Sequence, residues 1–275
     1  DVTFGGGGHS KEILKRLGDK GRLIAFDQDE DAERNAIKDP RFVLVRQNYR
    51  FLKNFLRYYD AIPVDGILAD LGISSYQINE AERGFSIRYE AELDMRMNRE
   101  SKVTAADILN QYSEEKLLKI FSQYGEVHNS KTLAKKIVEV RKETKLTHID
   151  QFKEAIRPCV DKQAESQYYA KVFQALRIEV NEELESLKEM LLETANVLAT
   201  QGRLVVLSYH SLEDRLVKNI IAKGQFEGEV EKDVFGNQKN NPFKAINRKP
   251  IEATEEEVKR NPRSRSAKLR IAEKN

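Results

Sequence analysis

The sequence predicts an α/β protein of Rossmann-like type, with an all-helical domain inserted into it. Three observations carry this. A run of four glycines, Gly5 to Gly8, stands where a strand passes into a helix. Strand and helix patterns then alternate up to residue 97, the rhythm of βαβ units on a parallel sheet. From about Asn98 to Leu176 only helical periods are found, and strand character resumes at Arg203. The expected division is a discontinuous α/β domain at 1–97 and 177–275, with the helical insertion at 98–176.

Taken in order, Ser10 to Leu17 reads as a helix opened by a serine cap and ended by Gly18, and Arg22 to Phe26 as a strand. Asp29, Glu30 and Asp31 suit the positive end of a short helix, Glu30 to Ile37, which stops before Pro40. Phe42 to Val45 is a strand and Phe51 to Tyr58 a helix. Ile67 to Ala69 is a buried parallel strand ending at Asp70. The insertion holds helices at Glu114 to Phe121, Lys131 to Val140 and Ile149 to Ile156. A long helix from Asn181 to Leu198 is expected to end at Gly202, followed by the strand Arg203 to Leu207. A helix at Leu212 to Ala222, a loop rich in glycine, asparagine and lysine, and a strand at Lys268 to Ala272 complete the chain.

With 40% hydrophobic and 33% charged residues among 275, the chain has the composition of a charged globular protein, not a membrane or disordered one. No apolar run reaches the roughly 18 to 20 residues of a membrane span. One cysteine, Cys159, excludes an internal disulfide and a four-cysteine zinc site; it reads as a small buried hydrophobe in a protein of the reducing cytoplasm. The four histidines lack ligand spacing, so no metal is expected. No signal-peptide pattern is present, and the natural protein is expected to begin before Asp1, because a first strand should already be under way there. The net charge of +2 conceals a run from Lys259 to Arg270 with six basic residues and no acidic one. That run reads as a phosphate-contacting arm or as a solvated tail.

The glycine turn lets a ligand approach the backbone, and the helix behind it offers free N–H groups to a polar or anionic group. It spells neither G-x-G-x-x-G nor a P-loop, since Ser10 replaces the third glycine and Lys11 follows a serine. Asp27 ends the second strand, where a carboxylate accepts from ribose hydroxyls; dinucleotides and S-adenosylmethionine both carry that ribose. Asp70 stands at the carboxyl edge of its strand, where open α/β sheets bind ligands. It suits contact with an amine of a cofactor or a base, while Asp70 and Ser74 equally suit a turn cap. Ser211 with Asp214 approximates a capping box, and His210 beside it is a candidate RNA contact. Arg83, Arg96 and Arg177 are candidates for phosphate contact or for salt bridges. Arg263 and Arg265, and the helical row Lys131, Lys135, Lys136 and Arg141, suit an RNA backbone.

The segments DVTFGGGGHS, DLGISS, ERGFS, LDMRMN, FQALRIEVNEEL, SYHSLEDR and NPRSRSAKLR occur in this order over nearly the whole chain. Together they resemble the ribosomal RNA small subunit methyltransferase H family, also called MraW. The resemblance implies a class I S-adenosylmethionine-dependent methyltransferase fold and methylation of the exocyclic N4 of a cytidine in the decoding region of 16S rRNA. The implied partner is that rRNA within the small ribosomal subunit or its precursor, with no membrane; the oligomeric state is left open, a homodimer included. The implied contacts for S-adenosyl-L-methionine are Gly7, Gly8, His9, Asp27, Tyr49, Asp70 and Gln77. Tyr49, just after the third strand, would pack an aromatic face on adenine. Asp70 is the candidate catalytic acceptor of the amine proton, with a backbone carbonyl of its loop as the alternative. This chain departs from the family at Glu92, where a proline is usual, and at Tyr168 to Lys171. Competing readings are a methyltransferase for another acceptor, a non-catalytic assembly factor and a nicotinamide-dependent oxidoreductase.

Overall fold

The computed structural model describes residues 1–228 and 241–275. Much of the loop expected to be rich in glycine, asparagine and lysine lies at 229–240, outside the described residues. The chain divides into two compact units, one of Asp1–Gly72 with Leu184–Asn275 and one of Ile73–Glu183.

The first unit is a Rossmann-like α/β fold. It contains α1 (Gly8–Arg16), β1 (Leu23–Phe26), β2 (Phe42–Val45), α2 (Leu52–Tyr58) and β3 (Val64–Asp70). The second unit carries α3 (Ser75–Asn79), α4 (Ala105–Gln111), α5 (Glu114–Gln123), α6 (Ser130–Val140), α7 (Ile149–Ile156) and α8 (Glu165–Asn181). The chain then returns to the first unit through α9 (Glu183–Val197), β4 (Leu198–Ser208), α10 (Ser211–Lys223), β5 (Phe243–Ala245), β6 (Ile251–Glu252), α11 (Glu255–Arg260) and β7 (Lys268–Lys274).

β1 and β2 pair in parallel, as do β3 and β4, while β7 lies antiparallel to β4 and carries β5 and β6 on its other side. Residues 1–4 join the two sheets. The Phe26 N–H donates to Asp1 O (2.9 Å), Phe4 N–H to Phe26 O (2.8 Å) and Val2 N–H to Leu68 O (2.8 Å). Phe26, Ile67, Ala69, Leu204 and Val206, each at most 4% exposed, bring the sheet into the core, and Leu187, Met190 and Leu191 of α9 with Val217, Ile220 and Ile221 of α10 belong to the same cluster. Their spacings of three and four residues put them on one face of each helix.

Two boundaries differ from the expected ones for identifiable reasons. α1 starts at Gly8 and not behind a Ser10 cap, because Ser10 is fully buried and its hydroxyl donates to Asp1 Oδ2 (2.7 Å). Gly202 does not end a helix: the helical segment breaks at Glu182, which adopts φ 48°, resumes as α9, and gives way at Leu198 to a strand that runs through Gly202. A left-handed glutamate has no glycine or proline to announce it.

In the helical unit, α5, α6 and α7 bury Leu117, Ile120 and Phe121, Leu133, Ala134 and Ile137, and Ile149, Phe152 and Ile156 respectively. α8 has buried residues on nearly every side, from Tyr168 to Val180, as a central helix must. The unit extends beyond 98–176 at both ends. Residues 73–97 lack a helical period, yet Phe85, Leu93, Met95 and Met97 are part of the helices' own core, and α8 crosses residue 176 without a break. Among the described residues no helix is long and apolar enough to cross a membrane.

Because Leu133 is 0% exposed, Leu133→Ala should lower the unfolding free energy by about 2 to 5 kcal/mol through lost burial and a residual cavity. Lys131→Ala, on the exposed side of the same helix, should change it by less than about 0.5 kcal/mol. Urea unfolding of both variants checks the pair.

Candidate functional site

The segment from Asp1 to Ser10 is held by a bond at nearly every residue. Asp1 accepts from Thr3 N–H on Oδ1 (3.2 Å) and from Ser10 on Oδ2, closing the turn on itself. The Thr3 hydroxyl accepts from Asp70 N–H (2.7 Å), which fixes the turn against the end of β3. Gly5 N–H donates to Asp27 Oδ2 (2.7 Å) at the end of β1. Gly7 adopts φ 73°, and a Cβ there would lie 2.9 Å from the Phe4 ring, so this position requires glycine for the fold alone.

Gly6 and Gly8 are different. Neither has a positive φ, and a Cβ on either would meet nothing within 4 Å. The protein itself does not need glycine there; the open space beside the first N–H groups of α1 is a cradle that side chains would enter. This fits a cofactor whose polar end approaches the backbone.

Asp27 and Tyr49 stand at the ends of β1 and β2, the same edge of the sheet. Asp27 accepts from Gly5 on one oxygen and from Asp29 N–H (2.9 Å) on the other. It is half-buried, so its carboxylate is oriented while still reachable. Asp29 caps the following 3-10 turn, Glu30–Asn35, as its position suggested. Tyr49 opens a 3-10 turn capped by Asn48 and packs partly against the α/β core.

Asp70 is gripped from two distant elements. Tyr209, just beyond β4, donates its hydroxyl to Asp70 Oδ1 (2.7 Å), and His9 Nε2 lies 3.2 Å from Oδ2. The Tyr209 backbone N–H in turn donates to Glu213 Oε2 (2.9 Å). Burial, then the charge of Asp70 and the bond to it, push the Tyr209 hydroxyl well above its usual titration range, so it stays a neutral donor. The hydrogen bond to Asp70 raises the pKa of His9, with burial opposing. Sequence reasoning misses Tyr209. Its contact with Asp70 spans 139 residues, and the only local signal is its place directly after a strand on the ligand edge.

The remaining candidates fall elsewhere. Gln77 lies in the helical unit, is buried, and completes the capping box of α3 with Ser74, the cap expected there. Arg83 does not face phosphate: it is 2% exposed and donates to the carbonyls of Arg96 and Met97 (2.9 and 3.0 Å). Arg96 forms a two-point pair with Asp94 (2.6 and 2.8 Å), and Arg177 one with Glu183 (2.8 and 3.0 Å). The Leu93-Asp94-Met95-Arg96-Met97 run thus buries its apolar residues and pairs its charged ones. The capping box of α10 is His210 with Glu213, not Ser211 with Asp214; Asp214 binds Arg270 instead (2.6 and 3.1 Å). The His210 side chain is 10% exposed and acts as that cap. Lys131 and Lys135 are exposed, whereas Lys136 pairs with Glu139 and Arg141 donates to Leu109 O.

The His9–Asp70 contact has a signed pH dependence. With its folded pKa raised, His9 stabilises the fold fully below the ordinary value of 6.5, and that contribution is lost as pH rises through the folded pKa. An NMR titration should find the His9 imidazole above 6.5 in the parent protein and moved back toward 6.5 in Asp70→Asn.

A family model described as the MraW methylase family matches residues 1–275. A protein of Bacteroides fragilis named ribosomal RNA small subunit methyltransferase H is 58% identical over 274 residues, covering 100% of this chain and 90% of the relative. Relatives of the same name from Bacteroides thetaiotaomicron and Parabacteroides distasonis are 58% and 57% identical, with the same coverage. A glycine cradle, an oriented carboxylate at the end of β1 and a clamped one at the end of β3, on a chain matched from end to end, make this protein a member of the MraW methylase family and thus a methyltransferase.

Proposed function

We propose that this chain transfers a methyl group from S-adenosyl-L-methionine to the exocyclic N4 of a cytidine in the decoding region of 16S rRNA, within the small ribosomal subunit or its cytoplasmic precursor. The observation that carries the reading is the Asp70 carboxylate, held on both oxygens at the same sheet edge as the Gly6–Gly8 cradle and Asp27. The names of the relatives supply the substrate class.

When bound, the cofactor supplies an electrophilic methyl group on a sulfonium. Gly7, Gly8 and His9 would receive its polar end, Asp27 its ribose hydroxyls and Tyr49 its adenine. Transfer forms one C–N bond, breaks one C–S bond and releases one amine proton. The cytosine amine is a weak nucleophile because its lone pair is delocalised into the ring. Orientation is therefore the main task, worth roughly 7 to 11 kcal/mol in well-aligned systems. Asp70 would accept the amine proton, and His9, half-exposed beside Oδ2, would pass it to solvent. Tyr209, a neutral donor, would hold Oδ1 without competing as a base.

A second reading follows from the occupancy of both Asp70 oxygens: Asp70 would hold the cofactor's amine, and a backbone carbonyl of its loop would take the proton. Asp70→Asn separates the two, with loss of turnover at unchanged cofactor affinity for the first and loss of affinity for the second.

The primary test is transfer from labelled S-adenosylmethionine to undermethylated small subunits, with the modified base mapped. The parent protein should label a cytidine N4. Asp27→Ala should weaken cofactor binding about 10- to 100-fold, the worth of one hydrogen bond to a charged group. Cofactor binding without transfer to the subunit would overturn the proposal.

A further inference from the structure

The basic run near the C-terminus divides in the structure into two parts. Arg270 and Lys268 turn to Asp214, at 2.6 and 3.8 Å. Lys259, Arg260, Arg263 and Arg265 are exposed, and among the described residues Lys259, Arg260 and Arg265 form neither an ion pair nor a side-chain hydrogen bond. Topology places these cations. β6 pairs antiparallel with β7 through Glu252 opposite Lys268, so residues 253–267 leave and re-enter the sheet at one edge. On the other side of β7, Lys268 stands opposite Ser208, the residue before Tyr209, and Leu207 stands opposite Asp70. The excursion therefore crosses the ligand edge two strands from Asp70, about 10 Å at the usual interstrand spacing. Glu257 in this excursion is close enough to add to the upward shift of Tyr209, after burial, Asp70 and Glu213.

The excursion is also braced, which a solvated tail is not. Thr254 caps α11, Asn261 N–H donates to Glu257 O (2.6 Å), and Ser264, 6% exposed, donates through its hydroxyl to Asn261 O (2.7 Å). Buried Ser264 leaves Arg263 and Arg265 flanking it on the solvent side. The acidic first turn of α11, Glu255 to Glu257, meets that helix's own dipole, and its basic end continues into the arginines.

We propose that residues 259–265 form a fixed cationic lip that grips the RNA backbone next to the target base and sets its approach to Asp70. The inference rests on the rRNA reading above. Lys259, Arg260 and Arg265, exposed on a braced excursion that leaves the sheet at the ligand edge, position a polyanion without reading its sequence.

The test combines Lys259→Ala, Arg260→Ala and Arg265→Ala in the full chain. KM for undermethylated small subunits should rise at least 10-fold with kcat and cofactor Kd within two-fold. The slope of log affinity for subunits against log salt should fall by about 0.7 to 0.9 for each phosphate that the variant no longer neutralises. Lys218→Ala with Lys223→Ala, exposed on α10, should leave both quantities unchanged. The lip is overturned if the triple variant keeps the parent KM and salt slope, or if the α10 variant carries the loss. If the parent protein binds subunits without methylating them, the reaction reading falls while subunit binding still decides the lip; if it does not bind them, both fall.

Discussion

The hydroxyl of Ser10 and the carboxylate of Asp1 meet in the interior, and this contact closes a ten-residue loop at the centre of the sheet. Removing it would leave a buried acceptor unpaired and free the start of α1, the helix whose N–H groups face the cradle. The backbone bonds of residues 1–4 to β1 and β3 hold the turn from its other end. Thr3 reaches the backbone of Asp70, Gly5 reaches Asp27, and Phe4 packs over Gly7 only because residues 1–4 are threaded between β1 and β3. The four glycines then divide by role. Gly5 and Gly7 take backbone angles that other residues avoid, while Gly6 and Gly8 keep a volume empty.

A second chain of dependence runs from the start of α10 to the end of β3. Glu213, 3% exposed, fills the N-terminal cap of α10 and accepts from Tyr209 N–H, setting the tyrosine whose hydroxyl holds Asp70. Most local features of the SYHSLEDR segment serve this support: His210 caps, Glu213 anchors, and Asp214 fastens β7 through Arg270. Only Tyr209 reaches the site. The mutation Tyr209→Phe would remove one hydrogen bond and little volume, whereas loss of Glu213 would disturb a helix start as well.

The glycine turn, the carboxylates ending β1 and β3, and most helices are legible in the sequence because each is a local pattern: a composition run, a strand-end acid or a three-and-four spacing. Partner choice is not. Arg83, Arg96 and Arg177 advertise positive charge, but sequence does not show that their partners are two carbonyls, Asp94 and Glu183. Phosphate and carboxylate ask the same geometry of a guanidinium. The region 73–97 reads as separate from the helices because it lacks period, yet alternate burial of Leu93, Met95 and Met97 fixes it in their core. Tyr209 shares this obscurity, since its partner Asp70 stands 139 residues away in the chain.

In the proposed reaction, the value of clamping Asp70 lies in when the ordering cost is met. A free carboxylate would have to stop rotating as it took up the amine proton, and that entropy would appear in the barrier. Here the two restraints come from α1 and from the segment after β4, elements ordered on folding, so the carboxylate is already aimed before substrate arrives. The restraints are unequal in a useful way. Tyr209 is half-buried and neutral, a permanent partner for Oδ1; His9 is 48% exposed and titratable, a partner for Oδ2 that can exchange protons with solvent. An acceptor fixed on one side and exchangeable on the other can return to its starting charge after each turnover without the fold relaxing.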